Sequence, residues 1–323
     1  MLQTEAVWYV SKGRAEIRSS TLATLGADDV RVAALYSGVS RGTERLVCHG
    51  RVPVSEHQRM RCPNQEGDFS FPVKYGYALV GVIEDGPKAR IGEHVFVLHP
   101  HQRQLNVSLT AVNTLPKDLP PRRACLAANM ETALNITWDA QAAPGDRILI
   151  IGGGVLGLLI AGIVARIPGT DVTVADIDPT RASVAQKLGA RFVQPDAAPQ
   201  DQDIVIHTSS NPAGLAVALS CAGTEARVVE ASWYGDKTVA LSLGEAFHSR
   251  RLQLISSQVG AVPASHRARW TYARRMAAAL DLLRDDRFDV LITGEIAFTD
   301  APAQLPGVLV NASTGLMTVI RYT

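Results

Sequence analysis

Three glycines carry the strongest chemical signal in this 323-residue chain. They follow the spacing Gly152-x-Gly154-x-x-Gly157 and come directly after the apolar run 147–151. In a dinucleotide site the first glycine of this spacing permits a sharp turn, the second lets the backbone approach a pyrophosphate, and the third lets a helix pack against the strand. A helix that begins near Val155 would present its free N–H groups to the phosphates.

The segment after the glycines decides against an ordinary glycine turn and against a membrane span. Residues 170–176 predict a second strand that ends in Asp176, 19 positions after Gly157. The acid that binds the ribose hydroxyls is expected at an offset of about 20 residues. Asp178 and Pro179 then suit the N-cap and first position of a helix. We therefore predict a βαβ dinucleotide site that prefers NAD(H) to NADP(H), because Asp176 would repel a 2′-phosphate.

Length and composition limit the class of protein. A chain of this length predicts two domains, and a net charge of +1 gives no indication of a nucleic-acid partner. The scattered cysteines form no CxxC pair, which argues against a zinc lobe or a disulfide framework. The N-terminus lacks a basic region followed by an apolar one, so we expect a cytoplasmic protein that acts on a small molecule without a membrane partner.

Periodicity places the elements around the glycine turn. Residues 1–115 read as β-rich with a long polar loop at 48–72, and later strands alternate with helices, which predicts a parallel, doubly wound sheet. Helices are expected at 120–138, at 265–283, and after Asn211 as an N-cap. The strand-like segments at the C-terminus should return to the first domain.

Four short motifs now point to a known family. They are the runs 37–44 (Ser-Gly-Val-Ser-Arg-Gly-Thr-Glu), 76–81, 91–95 and 145–147, the last leading into the glycine turn. In order and content the chain resembles the medium-chain dehydrogenase/reductase superfamily of zinc-containing alcohol dehydrogenases. The run 37–44 looks most like the bacteriochlorophyllide 3-hydroxyethyl dehydrogenase branch. The resemblance implies an α/β protein with a GroES-like catalytic domain at 1–128, completed by 262–323, and a Rossmann domain at 129–261.

The chain departs from this family at the catalytic zinc. Ser40, Tyr77 and Ala128 stand where the zinc members place cysteine, histidine and glutamate. Hydroxyl and methyl groups cannot replace thiolate, imidazole and carboxylate as zinc ligands, so we predict a member without zinc. His99 and His101 form an H-x-H pair, which without a third ligand is more typical of hydrogen-bonded residues than of a metal site.

The resemblance also implies which residues act on substrate and cofactor. The candidate catalytic residues are Thr43, Tyr77, Ser40 and Glu131; the last requires burial to raise its pKa. Structural readings remain open for each, such as Tyr77 filling the vacated metal space. The expected cofactor-binding residues are Thr132, Gly152, Gly154, Val155, Leu156, Gly157, Asp176, Ile177, Arg181, Thr208, Ser209, Ala231, Ser232, Trp233, Ser257 and Gln258. The family also implies a homodimer through the edge strand of the Rossmann sheet.

Three functions follow from these expectations. The leading one is a zinc-independent NAD(P)(H)-dependent oxidoreductase that transfers hydride to or from a carbonyl, an enone or quinone, or a secondary alcohol. The second is a dehydrogenase of a large hydroxyethyl-bearing substrate such as a chlorophyllide. The third is a dinucleotide-binding regulator without turnover, since loss of every zinc-ligand position is also what such a protein would show.

Overall fold

The computed structural model describes residues 2–310 and 314–322. The chain separates into two compact units. The first contains Met1–Ala128, Leu280–Arg284 and Ile292–Thr323; the second contains Asn129–Ala279 and Asp285–Leu291. Residues 262–279, expected to complete the first domain, therefore pack within the second unit.

The first unit is built from two sheets whose strands pair antiparallel, except that β16 and β17 run parallel. Its strands are β1 (Gln3–Ser11), β2 (Arg14–Thr21), β3 (Asp29–Val39), β4 (Glu66–Gly67), β5 (Val73–Lys74), β6 (Leu79–Asp85), β7 (His94–Val97), β8 (Gln104–Ser108), β9 (Val112–Thr114), β16 (Ile292–Ala297) and β17 (Met317–Arg321). Its helices are α1 (Arg41–Cys48), α2 (Pro121–Ala124) and α9 (Ala301–Val308). One sheet has the order β2-β1-β5-β4, and the other runs β16-β17-β3-β6-β7-β9 with β8 also paired to β3.

Alternating burial explains the central strand of this unit. Along residues 29–35 of β3 half-buried and buried residues alternate, as expected for a strand with one face on a core, and the last three residues are all buried. The strand ends at Val39, and α1 begins two residues later at Arg41. Ser40 therefore lies between a core strand and the first turn of a helix, where the backbone is held on both sides.

The second unit contains one parallel sheet with the order β12-β11-β10-β13-β14-β15. Its strands are β10 (Arg147–Ile151), β11 (Asp171–Ala175), β12 (Arg191–Val193), β13 (Gln202–His207), β14 (Ala222–Glu230) and β15 (Gln253–Ser256). The helices are α4 (Val155–Val164), α5 (Arg181–Lys187), α6 (Pro212–Cys221) and α7 (Ala264–Arg267), together with most of α3 (Ala127–Ala140) and α8 (Tyr272–Leu282).

The strand order reverses at the centre of this sheet. From β10 the chain crosses to β11 on one side and later returns to β13 on the other. Every residue of β10 after Arg147 is buried, as is usual for a parallel strand covered on both faces. In such sheets ligands bind outside the carboxyl ends of the strands at the reversal point. The glycine turn at Gly152 lies at this point.

Several predicted elements are confirmed and others need correction. The strand 147–151, the helix start at Val155 and the Asn211 cap, whose Oδ1 accepts the Ala213 N–H at 3.0 Å, are confirmed. The prediction that Asp178 caps a helix is wrong, because α5 begins only at Arg181. The Asp178 carboxylate instead accepts the backbone N–H of Thr180 at 3.0 Å, a local turn that delays the helix.

Two predicted helices are interrupted. Residues 265–283 form α7 and α8 with a break between them, where the Thr271 hydroxyl accepts the N–H of Arg274 at 3.1 Å and caps the second helix. Residues 120–138 likewise form α2 and α3, separated at Cys125 and Leu126. No helix in the described part of the chain is long and apolar enough to cross a membrane.

Candidate active site

Three hydroxyl groups meet in the first unit. The Tyr77 phenol donates a short hydrogen bond to the Ser40 hydroxyl, and the Thr43 side chain also hydrogen-bonds Tyr77. Ser40 precedes α1 but does not use its hydroxyl to cap the helix. The structure therefore brings together three of the four residues that the sequence proposed as catalytic, although their roles remain predictions.

Burial sets the protonation of this cluster. Burial, with smaller effects that include the nearby Glu44 charge, raises the pKa of Tyr77 to about 12, while the Ser40 and Thr43 hydrogen bonds act in the opposite direction. At neutral pH the phenol is a hydrogen-bond donor. Each of the three hydroxyls carries one proton, and the two hydrogen bonds within the cluster use two of these protons. The third proton is not used by a hydrogen bond within the cluster.

A buried carboxylate, which was not among the predicted site residues, stabilises the backbone of the cluster. The Glu44 side chain is completely buried, and its Oε1 accepts the backbone N–H of Ser40 at 2.7 Å. Its Oε2 accepts the Tyr9 hydroxyl at 2.9 Å and lies 3.0 Å from Nε2 of His101. Three donors thus satisfy a buried charge that would otherwise be costly. Because the Ser40 N–H is one of them, Glu44 fixes the backbone that carries the Ser40 hydroxyl.

The network continues beyond His101 to the C-terminal strand. Nδ1 of His101 lies 2.7 Å from the Ser37 hydroxyl, which lies 2.9 Å from the Tyr322 hydroxyl. His101 is thus a hydrogen-bonded core residue, whereas the His99 ring bonds Pro100 O at 2.9 Å and burial lowers its pKa to about 3. The expectation that the H-x-H pair serves hydrogen bonding agrees with these contacts.

Aromatic rings connect the cluster to the long loop at 48–72. The centroid of the Phe69 ring, from this loop, lies 5.7 Å from that of the Tyr75 ring. The Tyr75 and Tyr77 rings are perpendicular, with their centroids 6.1 Å apart. Gly76, between the two tyrosines, has φ +124°, and a Cβ there would stand 3.0 Å from the His101 ring. The glycine thus permits the close packing that orients Tyr77.

Glu131 has a different environment in the second unit. Its Oε1 accepts from Arg275 Nε at 3.0 Å, and the same guanidinium bonds Asn135 Oδ1 at 2.5 Å and Val259 O at 2.7 Å. Burial raises the pKa of the Glu131 carboxyl, and Arg275 partly offsets that effect. A catalytic role for Glu131 required that its carboxyl be buried, and it is. The buried ion pair with Arg275, however, explains this carboxylate without a catalytic role. Arg275 belongs to the helical segment predicted at 265–283, and it is only 2% exposed.

The glycine turn has the geometry that a dinucleotide requires. Gly152 has φ +110°, and a Cβ there would stand 2.7 Å from the Thr208 hydroxyl and 2.9 Å from the Ser209 nitrogen. A Cβ on Gly157 would overlap the Gly152 carbonyl oxygen, so only glycine fits where α4 meets the turn. Around Gly154, in contrast, no heavy atom of the described residues lies within 4 Å of a Cβ position. The turn is therefore packed on two sides and open on the third, where a pyrophosphate would approach.

Asp176 stands beside this turn, as the spacing predicts. Its Oδ2 accepts the Gly153 N–H at 2.6 Å and its Oδ1 accepts the Asp178 N–H at 2.8 Å. A carboxylate has about four acceptor positions, so two remain for ribose hydroxyls. Arg181 lies next to Gly153 and forms an ion pair with Asp178 at 3.1 Å. A positive charge thus accompanies the carboxylate at the predicted ribose position.

The other expected cofactor residues lie around the carboxyl ends of the strands. Val155 and Leu156 begin α4, and Ile177 is 80% exposed after β11. The Thr208 hydroxyl donates to Gly152 O at 3.0 Å, and the Ser257 hydroxyl donates to Asp139 Oδ2 at 2.6 Å. The remaining members follow β13, β14 or β15 or lie on α3: they are Ser209, Ala231, Ser232, Trp233, Gln258 and Thr132. These placements fit a dinucleotide at this edge of the sheet, and the individual contacts remain predictions.

Known proteins match this chain in sequence over part of its length. No family model matches the chain. The (R,R)-butanediol dehydrogenase of Bacillus subtilis is 22% identical over 216 residues, 64% of this chain and 60% of that protein. The 2-desacetyl-2-hydroxyethyl bacteriochlorophyllide A dehydrogenase of Rhodobacter capsulatus is 26% identical over 206 residues, 59% of this chain and 60% of that protein. The chain thus matches about three-fifths of the length of these relatives.

Solved structures match over the full length. The rspB alcohol dehydrogenase of Escherichia coli, solved with NADH, has a TM-score of 0.79 at 17% identity and covers 99% of both chains. L-idonate 5-dehydrogenase of Escherichia coli has a TM-score of 0.81 at 14% identity and covers 99% of both chains. A Sinorhizobium meliloti structure described as a zinc-binding dehydrogenase, with NADP bound, has a TM-score of 0.79 at 17% identity and covers both chains completely.

The chain has the medium-chain dehydrogenase/reductase fold. The predicted resemblance and the predicted class, a GroES-like unit with a Rossmann unit, are both confirmed. The resemblance assigns the catalytic zinc positions to Ser40, Tyr77 and Ala128, which offer two hydroxyls and a methyl group; this assignment remains a prediction. Within residues 2–310 and 314–322 no group of three His, Cys, Asp or Glu side chains is arranged to hold a metal ion. This donor set does not fit zinc.

Proposed function

We propose that this medium-chain protein is a nicotinamide-dependent oxidoreductase that transfers hydride to or from a carbonyl, an enone or quinone, or a secondary alcohol without catalytic zinc. The observation that carries the proposal is the hydroxyl cluster of Ser40, Thr43 and Tyr77 at the positions where a zinc site is expected. The names of the relatives, which are alcohol and polyol dehydrogenases, support the general reaction class.

The nicotinamide supplies the hydride chemistry, and the chain must bind it and handle charge on the substrate oxygen. The open side of Gly154 and the start of α4 would hold the pyrophosphate. The Asp176 carboxylate would accept the ribose hydroxyls, and its charge supports NAD(H) over NADP(H) as the preferred cofactor.

The hydroxyl cluster would take over the task of the metal. The O–H group left over from the bonds within the cluster would donate to the substrate oxygen and stabilise the negative charge that develops there. Because burial raises the pKa of Tyr77 to about 12, the phenol stays protonated and can replace any proton that the cluster gives up. Glu44 would hold Ser40 in place by accepting the Ser40 backbone N–H. The Glu44 carboxylate itself would not contact the substrate.

The deciding experiment measures turnover and metal content on one preparation. We expect NADH oxidation with a panel of carbonyls, enones and quinones, or NAD reduction with secondary alcohols, from protein that contains less than stoichiometric zinc. Activity should survive dialysis against a chelator. Loss of activity on chelation, restored by zinc, would contradict the metal-free mechanism; binding of NADH without turnover across the panel would favour a regulator.

A hydroxyethyl-bearing pigment is the second candidate substrate. The run 37–44 and the match to the bacteriochlorophyllide A dehydrogenase both favour it. Turnover with a hydroxyethyl chlorophyllide and a much smaller kcat/KM for short secondary alcohols would support this candidate. The reverse order of kcat/KM would exclude it.

A homodimer through the edge of the parallel sheet is the proposed assembly. The strand β15 forms that edge, and its Leu254 is 38% exposed. Replacing Leu254 with Lys would place a charge on the edge and should convert a dimer to a monomer in light scattering. A wild-type protein that is already monomeric would contradict the proposal.

A further inference from the structure

A hydrogen-bonded relay links three side chains at the carboxyl ends of β13 and β14. The Ser209 hydroxyl lies 2.6 Å from Nε2 of His207, and Nδ1 of His207 lies 2.8 Å from Oε2 of Glu230. Two more groups bond Glu230: the Ser232 backbone N–H donates to Oε1 at 2.7 Å, and the Tyr234 hydroxyl donates to Oε2 at 3.1 Å. His207 is completely buried and Ser209 is exposed, so the relay connects the interior to the surface.

The positions of the protons follow from the acceptors. Burial alone would raise the pKa of Glu230, but the His207 and Ser232 hydrogen bonds outweigh it and hold that pKa below its usual range. An ionised carboxylate can only accept, so Nδ1 of His207 must carry a hydrogen. In a neutral imidazole the other nitrogen, Nε2, is then an acceptor. With the imidazole in this form, Ser209 donates its one proton inward to His207.

Ser209 therefore faces the surface as an acceptor. Its oxygen takes the Asn211 N–H at 3.3 Å and can accept one further hydrogen bond from outside. An external group that donates, such as a hydroxyl or an amide N–H, fits this position. A phosphate oxygen, which can only accept, does not.

The relay ends beside the glycine turn. Ser209 follows β13, which pairs with β10 at the point where the strand order reverses. A Cβ on Gly152 would stand 2.9 Å from the Ser209 nitrogen, so the two backbones are in contact. The N–H groups that follow β10 would donate to the phosphates, and Ser209, which follows β13, would accept. Together they would orient a dinucleotide.

We propose that the His207–Glu230 pair is a positioning pair that fixes Ser209 as a hydrogen-bond acceptor for a ribose hydroxyl or amide N–H of the cofactor. The inference rests on the proposed nicotinamide function and adds residues to it. His207 and Glu230 act through Ser209 and are buried behind it. Because the pair makes Ser209 an acceptor, this side of the site disfavours phosphate. The phosphates would bind at the glycine turn.

The same order of side chains, serine, histidine and carboxylate, activates the nucleophile in serine hydrolases. There the histidine must also pass its proton to a leaving group. His207 has no exposed surface and cannot reach one. The geometry thus points to orientation of a hydroxyl and away from acyl transfer.

The test replaces members of the relay singly and together. Glu230→Gln presents an amide N–H to His207, moves the imidazole hydrogen to Nε2, and turns the Ser209 proton outward. Ser209→Ala removes the acceptor, and His207→Asn keeps a donor to Glu230 while detaching Ser209. Ser220→Ala, which removes an exposed hydroxyl of α6 bonded to Val217 O, is the matched control. The dissociation constant for NADH is measured by fluorescence, and the melting temperature of each variant is recorded.

Each single variant of the relay should weaken NADH binding between about twofold and tenfold, the range for one hydrogen bond. The double variant Ser209→Ala/Glu230→Gln should bind as Ser209→Ala does, because Glu230 acts through Ser209. Additive losses, or NADH affinity unchanged in Glu230→Gln, would overturn the inference while leaving the proposed function intact. Wild-type protein that binds neither NADH nor NADPH would overturn both. If Glu230→Gln melts well below wild type, His207→Asn and Ser209→Ala carry the comparison.

Discussion

At the scale of single residues, Tyr77 combines a buried ring with a hydroxyl that points into a polar cluster. The phenol bonds Ser40 and Thr43, and its pKa of about 12 keeps it neutral. A tyrosine that only filled the vacated metal space would need no hydroxyl. Removing the oxygen alone therefore separates the functional reading of Tyr77 from the structural one.

Tyr77→Phe removes the phenol that holds the Ser40 hydroxyl and resupplies its proton, so kcat should fall by up to about 100-fold, the effect of losing one oxyanion-stabilising donor. The KM for NADH should not change, since the cofactor groups belong to the second unit. Steady-state kinetics at neutral pH measure both constants. Tyr75→Phe removes a hydroxyl from the neighbouring buried ring and should retain most of the activity. Equal losses in the two variants would assign Tyr77 a packing role.

The proposed preference for NAD(H) also depends on one carboxylate. Asp176→Ser removes the charge that would repel a 2′-phosphate, and Arg181 remains beside the site. We expect the ratio of kcat/KM for NADH over NADPH to fall by about tenfold or more, mostly through KM. In Arg181→Ala the ratio should rise. A wild-type protein that already prefers NADPH would contradict the assignment of Asp176.

Residue-level contacts show where sequence reasoning ends. The positions of Ser40, Thr43 and Tyr77 could be inferred from the motifs, and the structure brings these side chains together. Glu44 and His101 lie 57 positions apart, and nothing in their local sequence reveals that they meet. Glu44 was part of a quoted motif and still escaped notice, because Tyr9 and His101 come from distant parts of the chain.

At the scale of elements, the strand–turn–helix at Gly152 derives its shape from backbone packing. Gly157 brings α4 close to the turn, and Gly154 leaves space above it. The two glycines look alike in the sequence motif, yet close packing requires glycine at Gly157, whereas Gly154 borders open space. Substitution by alanine distinguishes them.

Gly154→Ala should fold normally, because its φ of −76° suits any residue and the Cβ meets open space. NADH binding should weaken at least about tenfold, since a methyl group would stand where the pyrophosphate approaches. Gly157→Ala should lower the free energy of unfolding by about 1–3 kcal/mol, as expected for overpacking against a backbone oxygen. Thermal unfolding with and without NADH measures both effects. Equal melting temperatures for the two variants would show that the turn tolerates a side chain at Gly157.

Local patterns predicted elements well where one signal dominated. The strand 147–151 and α4 follow an apolar run with glycines, and both have the expected bounds. Predictions failed where a side chain had two possible uses. Asp178 could cap a helix or close a turn, and its bonds to Thr180 delay α5 until Arg181. The strand β2 gives no clear signal in the sequence, because half of its eight residues are exposed and it lacks a clear apolar alternation.

At the scale of the whole molecule, buried tyrosines are distributed unequally between the two units. Burial raises the pKa values of Tyr9, Tyr75, Tyr77 and Tyr322, which all belong to the first unit. A phenol with a raised pKa binds its proton more tightly in the folded chain than in the unfolded one. Stability is therefore unaffected below the ordinary pKa of about 10 and falls as the pH rises above it.

The first unit should therefore lose stability in alkali before the second. For Tyr77 the loss extends from about pH 10 to its folded pKa of about 12. Melting temperature and tyrosinate absorbance, followed together over this range, should change in step, and kcat should fall in the same window because the cluster loses its donor. Tyr75→Phe removes one of these ionisations, so its melting temperature should fall less steeply with pH. Ionisation of all seven tyrosines near pH 10, without loss of structure, would show that the four buried phenols reach solvent and that the hydroxyl cluster is not shielded as the fold requires.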